Sequence, residues 1–585
     1  MPRMNALAKL ATLAAISGRI WRLTTPYFRS EEKWKARGLF VGIVVLNLAA
    51  VYLLVLLNEW NRVFYDALQE HNQPVFWEQL GRFTYLAFAY IVVAVYRFYM
   101  TQLLEMRWRA WMTQHYLDRW LANNAFYRME LARYGNGGAP DNPDQRIQED
   151  LNLFTGYSVS LSMGVLNAVV TLVSFVGILW SLSGSFTFSL GGQDHMIPGF
   201  MVWAAVAYCL VGSLITHWIG KPQIPLNFQQ QKLEADFRHH MVRVREYSEA
   251  IGLDRSERVE RGHLQLRFTQ VLANYLALIK AQKNLTWFTN FFGQAAVVFP
   301  FLVAAPRYFS GAIQLGELMQ ISSAFGRVQD SLAWLVDNYS SVAAWLATAD
   351  RLTSFEQNIV AQEARPSGLA LGEGEALATE SLDLALPGGG LLLGGLALRA
   401  QAGDHVLVKG PSGSGKSTLL RAISGIWPFA RGKVTVPGDT MAIPQNPYFP
   451  DGRLRDALAY PETASAYTDT QLQQALDDAL LPQLKARLDD EDAWTQKLSG
   501  GERQRLALAR VFLKNPRWVF ADEATAALDA EAEQVLYRRL AERIDARQGG
   551  LVSIAHRPAL EAFHNRRWEL ERREGDGPAY ALKAA

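Results

Sequence analysis

The run Gly410-Pro-Ser-Gly-Ser-Gly-Lys-Ser417 gathers glycines, a lysine and hydroxyls at the spacing a phosphate chain requires. Its glycines let successive backbone N–H groups turn toward an anion. Lys416 can then reach the β and γ phosphates, and the Ser417 hydroxyl can ligate magnesium. A helix opening at Thr418 would complete a cradle formed with Gly410, Pro411, Ser412, Gly413, Ser414, Gly415, Lys416 and Ser417. About 105 residues further on, the apolar run Arg517-Trp-Val-Phe-Ala ends in Asp522 and Glu523. A carboxylate at the end of a buried strand is suited to holding the water shell of a metal ion, the role expected of Asp522. A second can polarise an attacking water, the role expected of Glu523. The expected ligands are ATP and Mg2+.

These residues need a rigid frame. Short apolar runs at Ala402–Val408, Val434–Val436 and Trp518–Ala521 alternate with helical stretches, an α/β pattern in which the phosphate loop follows a strand and opens a helix. Upstream, Glu363–Gly374 is rich in Glu, Gly and Pro and reads as a linker. The expected division is a membrane domain over 1–360, a linker over 361–375 and a nucleotide-binding domain over 376–585.

Half of the chain's residues are hydrophobic and seventeen are tryptophan, high for a soluble protein, so membrane helices are expected in the first part. A hydrocarbon core of about 30 Å needs about twenty apolar helical residues. Windows of that kind lie at Leu39–Leu57, Phe83–Met100, Leu161–Leu182, Met201–Ile219 and Thr286–Ala305. The connection at Trp60–Leu80 holds only Arg62, and Ser183–Pro198 has no Lys or Arg. Arg97–Arg146 carries many arginines, and Lys221–Lys283 has eleven basic residues. The alternation orients the chain with its basic N-terminus in the cytoplasm. A domain that uses cytosolic ATP must lie on the same side, so a sixth span is required over Ala312–Trp345 despite Glu317, Arg327, Asp330 and Asp337. The residues before the first span form an expected amphipathic helix, since Lys9 interrupts Ala6–Ile16 and several basic residues follow. A net charge of +2 with no basic run gives no reason to expect nucleic acid as a partner. The single cysteine, Cys209, excludes an internal disulfide and a cysteine-built metal site.

Leu498-Ser-Gly-Gly-Glu502, followed by Arg503-Gln504-Arg505, resembles the signature of ATP-binding cassette proteins. A serine and paired glycines opening a helix, Ser499, Gly500 and Gly501 with Glu502 behind them, suit a γ-phosphate. The resemblance implies further roles. Gln445 in Pro444-Gln-Asn-Pro447 matches the loop glutamine that senses magnesium. His556 in Ser553-Ile-Ala-His-Arg557 matches the switch histidine at the γ-phosphate, and Asp529 in Ala526-Ala-Leu-Asp529 matches the loop that crosses the dimer. Two departures stand out. No Phe, Tyr or Trp occurs between Phe355 and Trp427, where family members stack an aromatic on adenine, and Ala526 replaces a common serine. In the first part of the chain, Asn142–Asp150, Glu234–Arg238, Arg243–Ile251, Gly316–Gln320 and Ala349–Leu352 resemble segments of the SbmA/BacA peptide-uptake proteins and of the subfamily D, peroxisomal fatty-acyl type, transporters.

The resemblance implies a half-transporter with six spans of the exporter-type fold fused to an α/β P-loop cassette. It would work as a homodimer in a bacterial inner membrane, with both termini cytoplasmic. A soluble cassette ATPase does not fit the apolar spans, and a purely regulatory cassette does not fit intact Glu523 and His556. The expected cargo is a small hydrophilic compound such as cobalamin or a peptide, with long-chain acyl compounds as the alternative.

Overall fold

The computed structural model describes residues 6–132, 134, 142–183, 185–190, 193–363, 368–573 and 577–584. Two compact units result, one from residues 1–117 and 143–355 and the other from 118–142 and 356–585.

The first unit is helical: α1 (Ala6–Arg29), α2 (Lys33–Gln69), α3 (Gln73–Leu121, which ends in the second unit), α4 (Leu151–Leu182), α5 (Phe200–Gly220), α6 (Gln223–Glu246), α7 (Glu257–Phe309) and α8 (Leu315–Asp337). Among the described residues, five helical stretches are long and apolar enough to cross a membrane, and each contains one of the expected windows. The helices far exceed those windows. At 1.5 Å per residue the 53 residues of α7 extend about 80 Å, against a core of about 30 Å, because the helical sequence continues into charged residues.

Helix α8 does not qualify by hydropathy, but it packs against α2, α4, α5 and α7. Its Leu318, Ile321, Phe325 and Val328 recur at three- and four-residue steps and are buried, with Ala324 between them. Arg327 and Asp330 lie exposed off that stripe. Gly316 is where the first turn of α8 meets α2. A Cβ there would come within 2.0 Å of the Arg62 carbonyl oxygen, and its N–H donates to Asp66 Oδ1 at 2.8 Å. Gln320, buried one turn on, donates to Glu59 Oε2 at 3.2 Å, and its carbonyl accepts from Asn58 Nδ2 at 3.3 Å. Asp150 and Arg351, from two segments noted in the sequence, also meet. Asp150 is 2 % exposed, and it accepts from Arg351 Nη2 at 2.5 Å and Nε at 3.0 Å and from Arg146 Nη1 at 2.6 Å.

The second unit takes in the end of α3, resumes at Glu356 within α9 (Tyr339–Glu363) and is built on one mixed sheet. Its longer strands are β1 (Leu369–Gly374), β2 (Leu377–Ala385), β3 (Leu391–Leu396), β4 (His405–Lys409), β5 (Ala430–Pro437), β6 (Thr440–Ile443), β7 (Trp518–Asp522), β8 (Gly550–Ile554), β9 (Arg566–Arg572) and β10 (Tyr580–Ala584). Five of them, in the order β6-β7-β8-β4-β9, run parallel, with Leu407 opposite Ser553 and Phe520 opposite Val552. Both faces of this layer are covered, so β4, β7 and β8 read as continuous apolar runs. One expectation is corrected here: Leu369–Gly374, read as linker, forms β1 and pairs in parallel with β5. Its glycines and glutamate disguise it because a strand at the sheet margin buries only Leu369 fully.

Candidate nucleotide site

Strand β4 is fully buried as far as Val408 and delivers the chain to Gly410, where helix α10 (Lys416–Ile423) follows after one loop. Two glycines there have no substitute. Gly410 has φ 150° and a Cβ would lie 2.8 Å from both Leu570 Cβ and its carbonyl oxygen. Gly415, the N-cap, has φ 94° and a Cβ would lie 2.5 Å from Leu392 Cδ2. The Lys416 ammonium folds back to donate to the carbonyls of Gly410 and Pro411, each at 2.9 Å. Burial pulls the Lys416 pKa below its usual value, against the pull of Glu523 and Asp522. The Ser414 hydroxyl oxygen is wholly buried in the loop with no hydrogen-bond partner among the described residues, a polar atom for which an incoming anion is a fitting mate.

Strand β7 lies two strands from β4 and ends beside the same loop. Asp522 Oδ1 accepts from Ser417 Oγ at 3.0 Å. Burial pushes the Asp522 carboxyl above the usual range, and the Ser417 hydrogen bond opposes that rise. A hydroxyl and a carboxylate converging in this way are the hard oxygen donors that suit magnesium. The next residue, Glu523, has φ 49°, a left-handed backbone uncommon for a side chain of this size and costing on the order of 1 kcal/mol. Its N–H donates to the Ile554 carbonyl at 3.1 Å, which ties the turn to the end of β8. The carboxylate is held from two loops: Gln445 Nε2 donates to Oε2 at 2.8 Å, and His556 Nε2 lies 3.0 Å from Oε1. A water-activating base needs this kind of orientation before its proton affinity matters.

The expected signature opens helix α11 (Gly500–Lys514) through a reciprocal cap. Ser499 Oγ accepts from the Glu502 N–H, and Glu502 Oε2 accepts from the Ser499 N–H at 3.0 Å. Those bonds hold the Glu502 carboxyl below its usual range. Asp529 caps the next helix, α12 (Ala530–Ala546), by accepting from the Ala532 N–H at 2.8 Å, which likewise lowers its pKa. The structure brings the phosphate loop, Asp522, Glu523, Gln445 and His556 into one connected set. Among the described residues, no hydrogen bond or ion pair joins Ser499, Gly500, Gly501, Glu502 or Asp529 to Gly410–Thr418.

Sequence reading assigned no role to Gln504, which links the two groups. It donates to the Glu523 carbonyl at 3.2 Å, and its Oε1 accepts from the Ala527 N–H at 2.8 Å. Thr525, Glu533 and Arg557 form a further bracket, with Thr525 Oγ1 and Arg557 Nη1 donating to Glu533 at 2.7 and 3.1 Å. The signal for Gln504 was its position five residues past Ser499, on the first turns of an anion-facing helix.

Comparison with known proteins accords with both halves. Residues 23–309 match the family described as ABC transporter transmembrane region 2, and residues 393–526 match the family described as ABC transporter. The chain is 32% identical to the inner membrane ABC transporter ATP-binding protein YddA of Escherichia coli, over 94% of this chain and 96% of that protein. It is also 32% identical to ABC transporter D family member 2, chloroplastic, of Arabidopsis thaliana, over 95% of this chain and 86% of that one. With the human lysosomal cobalamin transporter ABCD4 it shares 27% identity over 80% of this chain and 82% of that one. A bacterial Atm1-family ABC exporter solved with ATP bound superposes with a TM-score of 0.67 at 19% identity, covering 92% of this chain and 94% of that one, which establishes the exporter-type fold. With its membrane region and its ATP-hydrolysing domain fused in one polypeptide, and with homologues among the subfamily D half-transporters, the chain belongs to the ABC transporter family and couples ATP hydrolysis to transport.

Proposed function

We propose that the chain works as a homodimer with two composite ATP sites. Each site takes Gly410–Thr418, Gln445, Asp522, Glu523 and His556 from one copy, and Ser499–Glu502 and the Asp529 loop from the other. The observation that carries this reading is the division of the site: Glu523, gripped by Gln445 and His556, joins the phosphate-loop set, whereas among the described residues no hydrogen bond or ion pair joins Ser499–Glu502 or Asp529 to that loop. Ser417 and Asp522 would hold Mg2+, which supplies charge neutralisation at the phosphates when bound. Lys416 leaves the Gly410 and Pro411 carbonyls for the phosphate oxygens, while His556 orients toward the γ-phosphate. Glu523 accepts a proton from the attacking water as its oxygen bonds to the γ-phosphorus. The bond to the β–γ bridging oxygen breaks, leaving ADP and inorganic phosphate.

Chains carrying Lys416→Ala and chains carrying Ser499→Arg should each be inactive as homodimers. Their heterodimer should regain ATPase activity, because one of its two sites is then intact. A demonstrated heterodimer with no activity would sink the composite site.

The membrane is proposed to be a bacterial inner membrane, as in the name of the E. coli relative, with both termini cytoplasmic, a reading supported by the arginine and lysine distribution. The proposed cargo is a small hydrophilic compound, cobalamin-like or peptidic. Support comes from the human relative's name and from the exposed charges of Arg327 and Asp330 on α8. A second reading, a long-chain acyl cargo, is favoured by an apolar cavity of about 620 Å³ in the first unit, lined by Trp21, Phe28, Phe40, Trp108, Trp334 and Trp345 among others. Uptake of labelled cobalamin, a proline-rich peptide or an acyl-CoA into vesicles with the ATP sites outward separates the two.

A further inference from the structure

Helices α6 and α7 form an antiparallel hairpin, and near its tip three metal-ligating side chains converge. His240 on α6 places Nε2 2.9 Å from Glu260 Oε2 on α7, and His263 on α7 places Nδ1 3.9 Å from the other oxygen, Oε1. The two imidazoles meet edge to face with centroids 5.9 Å apart, and one donor atom from each of the three residues falls within 4.8 Å of the others. Glu260 and His263 are three apart, so one turn of α7 supplies two donors on one face, and α6 supplies the third. His240 and Glu260 are largely buried there, and His263 is about half exposed, which leaves an open side.

We propose that His240, Glu260 and His263 form a binding site for a divalent ion of the zinc class. Two neutral imidazoles and one carboxylate are a donor set that zinc takes with a fourth position left to water, at about 2.0 to 2.2 Å per bond. Tetrahedral ligands at that distance lie about 3.3 Å apart, so donors now within 4.8 Å of one another need to close by at most about 1.5 Å on binding. Thiolate-seeking ions are disfavoured by the all N and O donors, and magnesium by the imidazoles. The site lies well outside the apolar span. His263 precedes Thr286, where the span was placed, by 23 residues, or about 35 Å of helix. Between the ligands the chain turns through Tyr247 and through Asp254–Ser256, with Arg255 in a left-handed conformation at φ 50°. A bound ion therefore closes a loop of twenty residues and pins the hairpin tip.

The test uses the full chain in detergent, purified without a histidine tag, stripped with EDTA and kept free of nucleotide. Zinc is titrated against a chromophoric chelator, and cobalt is added as a visible probe of imidazole-bound four-coordinate geometry. One high-affinity zinc per chain is expected, weakened at least tenfold by His240→Gln or His263→Gln and unmoved by His239→Gln, the neighbour outside the cluster. Zinc should also slow tryptic cleavage at Arg255 in the unsubstituted protein, a measurement that needs no variant. Equal zinc retention by the original chain and the His240→Gln/His263→Gln double variant overturns the site, as does a cobalt spectrum of an octahedral aquo ion. Cleavage at Arg255 indifferent to zinc overturns the clamp.

Discussion

In the nucleotide-binding half, Lys416 opens a helix, Asp522 ends a strand, and Glu523 follows in a turn of its own, so each group's chemistry is joined to a local backbone feature. The membrane half works differently. Asp150, Gly316 and Gln320 sit within or at the start of helices, and each takes a defining partner far along the chain, 201, 250 and 261 residues away. Binding a phosphate chain demands a short, fixed run of N–H groups and hence a fixed run of residue types. Packing helices demands only complementary faces, which many sequences supply. Single substitutions should accordingly act sharply on one side of the molecule and gradually on the other.

The sharpest case is Glu523→Gln. It keeps the size of the side chain and its hydrogen bonds to Gln445 and His556 within reach, yet removes the proton acceptor. ATP hydrolysis should fall at least about a hundredfold, the usual scale for a general base, while ATP binding is retained. Phosphate release from contaminant-free protein decides it, and near-normal turnover would remove Glu523 from the role.

His564 tests whether the nucleotide half also holds large effects with no motif to announce them. Its Nδ1–H donates to the Leu560 carbonyl at 2.7 Å, and Nε2 accepts from the Ser553 hydroxyl, an arrangement only the neutral ring can make. Burial, the main cause, pushes its pKa from 6.5 down to about 4. Between those values the unfolded chain binds more protons, so stability is intact above about pH 6.5 and declines as pH falls toward 4. The loss should be on the order of 2 kcal/mol by pH 5. His564→Asn should flatten that decline in the thermal midpoint measured from pH 7.5 to 5, whereas an unchanged slope means the imidazole is not its source.

Base selection should be weaker. With no aromatic side chain between Phe355 and Trp427, ATP should be preferred over GTP by less than about a hundredfold, roughly 2.7 kcal/mol, since stacking on a base is worth about 1 to 3 kcal/mol. Competition binding with the two nucleotides gives the ratio directly, and a larger one would show other residues reading adenine.

The smallest expected contrast lies in the membrane half. Arg327 and Asp330 are exposed off the packed stripe of α8, and ionisable groups at membrane depth normally face a water-filled cavity. In a Cys209→Ser background, cysteines at 327 and 330 should react severalfold faster with a charged, impermeant thiol reagent than a cysteine at Ser322, in at least one nucleotide state. Inert positions with transport intact would exclude the cavity and weaken the case for a hydrophilic cargo.

How much could be read beforehand follows the same division. The loop from Gly410, the strand ending at Asp522 and the helix opening at Ser499 were legible because local rules dictate them. Gln504 was not, since its two bonds depend on where α11 meets the turn after Glu523. The five apolar spans were visible in hydropathy. Helix α8 had to be inferred from topology because half its surface is polar, and β1 was mistaken for linker because a marginal strand needs little apolar surface. His240 carried no signal at all, as it lies twenty positions before Glu260 and twenty-three before His263 and becomes their neighbour only when the hairpin folds.

The grip on Asp150 bears on what mutation can do to this chain. Arg146 and Arg351 both hold that carboxylate, and it has almost no access to water. Losing the carboxylate takes from Arg146 and Arg351 the acceptor they share, and replacing it with a cation sets three positive charges against one another. Reversing the polarity of this junction therefore takes three coordinated substitutions, with every partial route passing through a damaged protein. Descendants of this sequence are far freer to vary the helices around the junction than to change its sign.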